Sequence, residues 1–510
     1  MINRGLPRLF QNIMLRKIRI TLAIIAFVAI TLLFLDFTGT LHTWLGWLAD
    51  IQLIPAILAA NTAVFIALVA LTLVLGRVYC SVICPLGVMQ DIVSWISGRR
   101  KKKKARFKYT KNKSFLRAVI MFLFALGLNS GYAALVGIIA PYSAYGRIVS
   151  SLFAPLWQWG NNLLAYCAQR VDSYAFYEVE VWFKSMPVII VAAVTLVTLI
   201  VLAWRGGRTW CNTICPVGTF LGLISKYSLL RPVIDTTKCN GCTLCSRKCK
   251  ASCIDAKNHD IDYSRCVACM DCIDNCSQGA ISYRLKPKKA AKASTETTDT
   301  ARRTFIATSA IVGSSLIANA QRRRRKKVDG GLAVIQDKKI PNRATPIVPA
   351  GALSLKHLTE HCTACQLCIS ACPNQVLRPS DNLLRLMQPE ISYERGYCRP
   401  ECTRCSDVCP TDAIRPITVE DKSSTQIGSA VWIKENCVVL TDNVSCGNCA
   451  RHCPSGAIIM VALDRENPDG LKIPAVNTEK CIGCGACENL CPARPFSAIY
   501  VEGNQVHHTI

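Results

Sequence analysis

The chain has 510 residues, 51% of them hydrophobic and only 18% charged, with thirty cysteines and a formal charge of +27. This balance excludes an average soluble domain, and cysteines falling in tight clumps along a chain this long exclude a small disulfide scaffold. Nucleic-acid binding is excluded too, because the charge gathers in runs such as Gly98–Lys108 and Arg322–Lys327, beside apolar segments and without a recognition motif.

In chain order, four stretches reach the roughly 20 apolar residues that a bilayer span needs. They are Ile18–Leu35, Ile51–Leu75, Phe115–Ala140 and Val188–Trp204, within a membrane domain predicted for residues 1–230. Arg4, Arg8, Arg16, Lys17 and Arg19 precede the first span, and the Arg99–Lys113 run separates the second from the third. The loop from Asp36 to Asp50 has no Lys or Arg, so positive charge places the N-terminus and the second loop in the cytoplasm. The loop from Pro141 to Met186, with Trp157, Trp159 and Trp182, reads as an interfacial segment resting on headgroups, with a quinone pocket as the rarer alternative.

The second and fourth spans end alike, in GRVYCSVICPLG from Gly76 and GRTWCNTICPVG from Gly207. A repeat this specific predicts two related halves. Cys80 and Cys84, like Cys211 and Cys215, stand one helical turn apart, so two such faces would gather four thiols at one spot on the cytoplasmic side. They would hold a metal centre, act as redox-active dithiols, or merely pack. Arg77 and Arg208 would favour thiolate character there or anchor the helices in headgroups.

Residues 231–285 carry two Cys-x2-Cys-x2-Cys-x3-Cys runs, Cys239-Cys242-Cys245-Cys249 and Cys266-Cys269-Cys272-Cys276. This is the spacing of 4Fe–4S ligation, in which the fourth cysteine serves the other cluster, whereas zinc is the weaker alternative. Neither run ends in Cys-Pro, and Cys253 stands close enough in sequence to compete with Cys249.

Residues 286–350 form a linker containing Ala301–Lys327, where Arg302-Arg303, an apolar core from Phe305 to Ile317 and Ala318-Asn319-Ala320 resemble a twin-arginine export signal. Thr304–Ala320 is short for a span, and reads as a retained fifth anchor. Residues 351–510 carry four more quartets: Cys362-Cys365-Cys368-Cys372, Cys398-Cys402-Cys405-Cys409, Cys437-Cys446-Cys449-Cys453 and Cys481-Cys484-Cys487-Cys491. All end in Cys-x3-Cys-Pro, and segments such as TDAI and SGAI after them suggest ferredoxin-like strands. Fourth-cysteine exchange could join neighbouring quartets or nest the outer pair around the inner one. Cys167 is left over, and reads as a small buried residue.

On these motifs, residues 1–285 resemble NapH-type membrane ferredoxins and residues 301–500 resemble NapG/MauM-type ferredoxins. The fold class expected is an α-helical membrane domain with α+β ferredoxin-like modules. The resemblance implies a bacterial inner-membrane protein with six 4Fe–4S clusters that takes electrons from quinol and passes them to an exported reductase. Its first module would be cytoplasmic and its last periplasmic. The chain would be at most a quinol-oxidising subunit, since no nucleotide fold, c-type haem motif or nucleophile–base group is evident. A maturation factor reducing a metal or thiol of a partner enzyme is the alternative reading, and a redox sensor the weakest.

Overall fold

The computed structural model describes residues 8–36, 38–100, 107–173, 175–182, 185–285 and 336–510. The twin-arginine-like segment and the predicted fifth anchor lie outside the described residues.

The first part is helical: α1 (Arg8–Leu35), short α2 (Thr40–Leu45) and α3 (Trp47–Asp50), α4 (Leu53–Leu58), α5 (Thr62–Leu75), α6 (Val78–Val82) and α7 (Pro85–Arg100). It continues with α8 (Ser114–Asn129), α9 (Ala133–Ile139), α10 (Pro141–Ile148), α11 (Ala154–Gln169), α12 (Met186–Gly206), α13 (Thr209–Thr213) and α14 (Pro216–Ser225). Among the described residues, two helices are long and apolar enough to cross a membrane, Met14–Leu35 and Met186–Gly206. Both keep large apolar side chains exposed, among them Leu22, Ile25, Ile190 and Val197, as lipid-facing helices do and buried core helices do not.

The other two expected spans are broken. The second divides at Ala60, whose φ is +52°, and restarts when Asn61 caps α5 by accepting from the Val64 amide. The third divides at Gly131, φ +74°, after which α9 folds back so that a Cβ on Gly127 would lie 3.1 Å from Val136. Hydropathy registers apolar length but not a reversal, so both hairpins read as single spans.

The repeat is real in three dimensions. Gly76 and Gly207 both take positive φ, a five-residue helix follows each (α6 and α13), and Pro85 and Pro216 open α7 and α14. The expectation that each cysteine pair lies on one helix face is corrected, however. Cys80 and Cys211 sit inside the five-residue helices, whereas Cys84 and Cys215 lie past a break, with Cys215 capping α14. The proline after the second cysteine forces that break, since it disfavours a helical conformation in the residue before it.

Two cysteine-rich modules sit at the two ends of this helical body. The first contains β1 (Leu230–Ile234) paired antiparallel with β4 (Ile281–Leu285), and β2 (Ile254–Asp255) paired with β3 (Asp260–Ile261). The second contains three antiparallel pairs: β5 (Leu377–Pro379) with β6 (Pro389–Ile391), β7 (Thr425–Trp432) with β10 (Ile499–Thr509), and β8 (Ile458–Ala462) with β9 (Lys472–Val476). The SGAI segment does lead into a strand, β8, whereas TDAI leads into none: Ala413 and Ile414 are buried in irregular chain before β7.

Near its start, α1 meets the first module through Arg16, which pairs with Asp271 and Asp274. The turn after its end meets the second, where a Cβ on Gly39 would lie 2.8 Å from Arg404. A helix of 28 residues is about 42 Å long. One apolar core runs without interruption from Val267 of the first module, through Cys84 and Tyr145, to Cys362 of the second.

Candidate functional site: seven groups of converging thiols

The loops that present the cysteines share one backbone device. Residues alternate into the left-handed region at Gly241 and Thr243, Ala268 and Met270, Ala364 and Gln366, and Gly483 and Gly485. Alternation of this kind turns successive amide N–H groups inwards, making a concavity suited to an anionic group such as an iron–sulfur cluster. The strain at the non-glycine positions persists only because the surroundings impose it. The two loops with altered spacing depart from it, with Thr403 at φ −105° and Gly447 at φ −156°.

Thiols gather across quartets, not only within them. Cys245 faces Cys239, Cys242 and Cys276, and these four line one cavity. Cys272 faces Cys269, Cys266 and Cys249, which line another. In the second module Cys368 faces Cys362, Cys365 and Cys409, while Cys405 faces Cys398, Cys402 and Cys372. Cys487 faces Cys484, Cys481 and Cys453, and Cys449 faces Cys446 and Cys491. These groupings bring together thiols of neighbouring quartets, first with second and third with fourth. Cys437 of the third quartet is buried.

Of the two solitary cysteines, one departs from expectation. Cys167 is exposed, not buried, because α11 turns that face outward. Cys253 stands beside Cys249, the sulfurs 3.5 Å apart. Its hydrogen bond, ahead of the opposing effect of burial, brings the Cys249 thiol down to about 7, and it likewise lowers that of Cys266.

The four repeat cysteines meet as well. All are buried; Cys84 lies within electrostatic reach of Cys211 and Cys80, and Cys215 within reach of Cys211, Cys84 and Cys80. The two halves exchange arginines around them. Arg77 donates to Cys211 O at 3.3 Å and approaches its own Cys80 Sγ at 3.9 Å, while Arg208 donates to Cys80 O at 2.6 Å and approaches Cys211 Sγ at 4.0 Å. Gly87 and Gly218 make this crossing possible, since a Cβ at either would press on the opposing arginine and on a cysteine carbonyl. Both arginines are wholly buried, so neither is a headgroup anchor. Gln90 Nε2 donates to Cys211 Sγ at 3.1 Å, and the Gly218 amide to Cys215 Sγ at 3.4 Å. Among the described residues, no three His, Cys, Asp or Glu side chains, here or in the quartets, close to the spacing that one bare ion requires.

The sequence reading missed what lies between the groups. The stretch taken as interfacial begins with α10, every residue of which is buried. It is pressed against the loop of the first C-terminal quartet: a Cβ on Gly137 would fall 2.0 Å from Thr363 O, and one on Gly146 2.5 Å from Cys365 O. Arg147 donates to Ala364 O and Ser143 to Thr363 Oγ1. Trp157 and Trp159 do remain exposed, but Trp182 is stacked between Arg378 and Arg395. Tyr142 of α10 lies within reach of Cys365, Cys409 and Tyr79, and Tyr79 within reach of Cys84, Cys80 and Cys215. Tyr393 fills a similar place between Cys398 and Cys484. The aromatic position in the Gly-Arg-x-aromatic-Cys repeat was the one signal that could have drawn attention to Tyr79.

Comparison with known proteins agrees with this chemistry. A family described as a 4Fe–4S binding domain matches residues 59–104 and 188–235, the two repeat segments, and a 4Fe–4S dicluster domain matches residues 444–494. The chain is 32% identical over 171 residues to the methylamine utilization ferredoxin-type protein MauM of Methylophilus methylotrophus, a match spanning 32% of this chain and 72% of that relative. It is 27% identical over 148 residues to the ferredoxin-type protein NapF of Escherichia coli K12, spanning 29% of this chain and 81% of the relative. To NapG of the same organism it is 29% identical over 156 residues, spanning 28% and 64%. No solved structure matches. With these relatives and with thiols grouped in this way, the chain belongs to the ferredoxin-type 4Fe–4S proteins, which transfer electrons.

Proposed function

We propose that the protein is a membrane-bound electron relay that takes electrons from quinol and delivers them to an exported reductase. Six 4Fe–4S clusters would be held by Cys239, Cys242, Cys245 and Cys276; by Cys249, Cys266, Cys269 and Cys272; by Cys362, Cys365, Cys368 and Cys409; by Cys372, Cys398, Cys402 and Cys405; by Cys453, Cys481, Cys484 and Cys487; and by Cys437, Cys446, Cys449 and Cys491. The donor sets fit: four of the loops are concave, and three of the groups line a cavity of their own. When bound, such clusters supply one-electron chemistry, tuned by hydrogen bonds to sulfur and by exposure. The protein would position them in series. The gathering of thiols from neighbouring quartets is the observation that carries this reading, because it gives a succession of sites along the chain.

The quinol donor is supported by an apolar cavity of about 380 Å³ between α4, α5, α8 and α14, lined by Leu53, Ile57, Phe65, Phe124 and Phe220, and reaching Pro216 beside Cys215. The charged flanks and the modules at opposite ends of the helical body support a bacterial inner membrane with the first module cytoplasmic and the second periplasmic. A twin-arginine signal and a fifth anchor belong to the same proposal.

Membranes carrying the protein, held anaerobically, should oxidise added quinol faster than membranes without it; equal rates would remove the donor. Anaerobically purified protein should contain about 24 irons in the six quartets, and zinc in their place would overturn the relay. A tag at Ile510 should be open to protease added outside intact cells after the outer membrane is permeabilised, and full protection would overturn the periplasmic placement.

A further inference from the structure

We infer that Lys422 and Arg147 are positioning residues whose buried charges make two clusters of the second module easier to reduce. Lys422 acts on the group of Cys372, Cys398, Cys402 and Cys405, and Arg147 on the group of Cys362, Cys365, Cys368 and Cys409. The inference rests on the relay reading and deepens it by giving the second module the pull on the electrons.

The first observation is two buried cations without a carboxylate. Lys422, 6% exposed, lines the cavity of Cys372, Cys398, Cys402 and Cys405. Its Nζ donates to Arg399 O at 2.6 Å and to Cys402 O, on the chain that presents two of these thiols, and it reaches Cys398 itself. Arg147 is wholly buried and lies within electrostatic reach of Cys365. It donates to Ala364 O at 3.3 Å, between Cys362 and Cys365, and to Gly137 O and Ile138 O at 2.9 and 3.1 Å. None of the described ion pairs involves either residue. A buried ammonium or guanidinium that faces carbonyls and neutral thiols is costly, and an anion beside it relieves that cost. Thiolates holding a cluster supply the anion where free thiols do not.

The second observation is that the first module offsets its cations. Arg77 reaches Cys266, but the Asp271 carboxylate faces Cys269 and Cys272. Lys250, also within reach of Cys269, is bridged to Asp271 at 2.9 Å and to Asp91 at 3.6 Å. Arg247 donates to Cys242 O from an exposed position, where water weakens its field.

Reduction adds one electron to a centre, taken from a reduced neighbour that is oxidised in the same step; no bond of the chain is made or broken. A fixed positive charge beside the centre favours its reduced form and so raises its potential. At the effective dielectric of about 20 that suits protein sites, a unit charge in contact with a ligand loop shifts such an equilibrium by more than about tenfold.

A potentiometric titration of anaerobically purified full-length protein, followed by low-temperature paramagnetic spectroscopy, tests this. Lys422→Gln should keep all the iron and lower the midpoint of one signal by about 59 mV or more, the equivalent of tenfold. Lys422→Arg keeps the charge and should leave that midpoint in place, a separation that a role in merely holding the loop would not produce. Arg147→Gln should lower a different signal. Both shifts should persist at high salt, because buried charges are poorly screened. An unchanged midpoint in Lys422→Gln, an equal fall in Lys422→Arg, or the loss of about four irons from Lys422→Gln overturns the inference and leaves the relay standing. An unmoved midpoint in a folded Arg147→Gln removes the arginine from it; if that variant does not fold, the two Lys422 variants still decide. Wild-type protein without any reducible iron–sulfur signal overturns the relay itself.

Discussion

The two cysteine-rich modules share a loop device and differ in the charge that accompanies their docking on the helical body. The first is held by charge: Arg16 binds Asp271 and Asp274, Lys250 bridges Asp271 and Asp91, and Asp91 holds Arg208 and Arg19. The second is held by close approach. Gly137 and Gly146 let α9 and α10 lie almost against the backbone of Thr363 and Cys365, and neutral hydrogen bonds from Ser143 and Ser150 complete the contact. A charged contact tolerates small displacement, whereas a backbone-to-backbone contact fixes position to within a side chain's width. Close approach is shared by the first joint, where a Cβ on Gly207 would lie 2.5 Å from Lys250 O and one on Gly222 2.4 Å from Ser264 O, so the network of ion pairs is what sets the first joint apart.

That contrast can be broken at either joint. The largest effect is expected from Asp91→Asn, which leaves Arg208 buried without its carboxylate and should destabilise by about 3–5 kcal/mol. Thermal unfolding of the detergent-solubilised holoprotein should show the loss, with the first module becoming open to protease before the second. An unchanged melting point would mean that charge does not hold that joint.

Acid should act chiefly on the second module. Burial, with His508 adding to it, lowers His507 to about 4. The unfolded chain therefore binds a proton that the folded one refuses, and stability falls as pH drops from about 6.5 towards 4, by about 3 kcal/mol in all. His507→Leu should flatten unfolding midpoints across that window, whereas the same slope in the variant would clear His507 of the effect.

At the second joint, Gly137→Ala places a methyl against Thr363 O and should cost about 1–3 kcal/mol. It should also loosen the contact between α9 and the Cys362 loop, read as faster amide exchange at Thr363 and Ala364. The smallest effect belongs to Arg16→Gln. Its ion pairs are half exposed, so less than about 1 kcal/mol is expected, and that contribution should vanish at high salt. A large, salt-independent loss would make the first joint as specific as the second.

Much of the site was legible in the chain. Cys-x2-Cys-x2-Cys-x3-Cys spacing is local, and a loop of that length leaves little freedom over where its first three thiols point. The Gly-Arg-x-aromatic-Cys repeat likewise announced two related halves, which the structure brings together at Cys80, Cys84, Cys211 and Cys215. Apolar length announced helices, and Met14–Leu35 and Met186–Gly206 are continuous ones. These readings succeed because each depends on residues a few positions apart.

What failed depended on contacts between distant residues. Pro141–Ile148 looks like any aromatic-rich surface segment, and only the packing of the Cys362 loop against it makes it interior. The hairpins at Ala60 and Gly131 are set by backbone conformation, which hydropathy does not register. The choice between neighbouring and nested quartets turns on which loops face one another, as Cys409 faces Cys368 and Cys453 faces Cys487. Sequence alone determined which side chains are sulfur donors and how they are spaced, since that is fixed by covalent order. The tertiary structure decided which donors share a centre and what separates one centre from the next, because those are distances through space, set by how the helices and loops exclude one another.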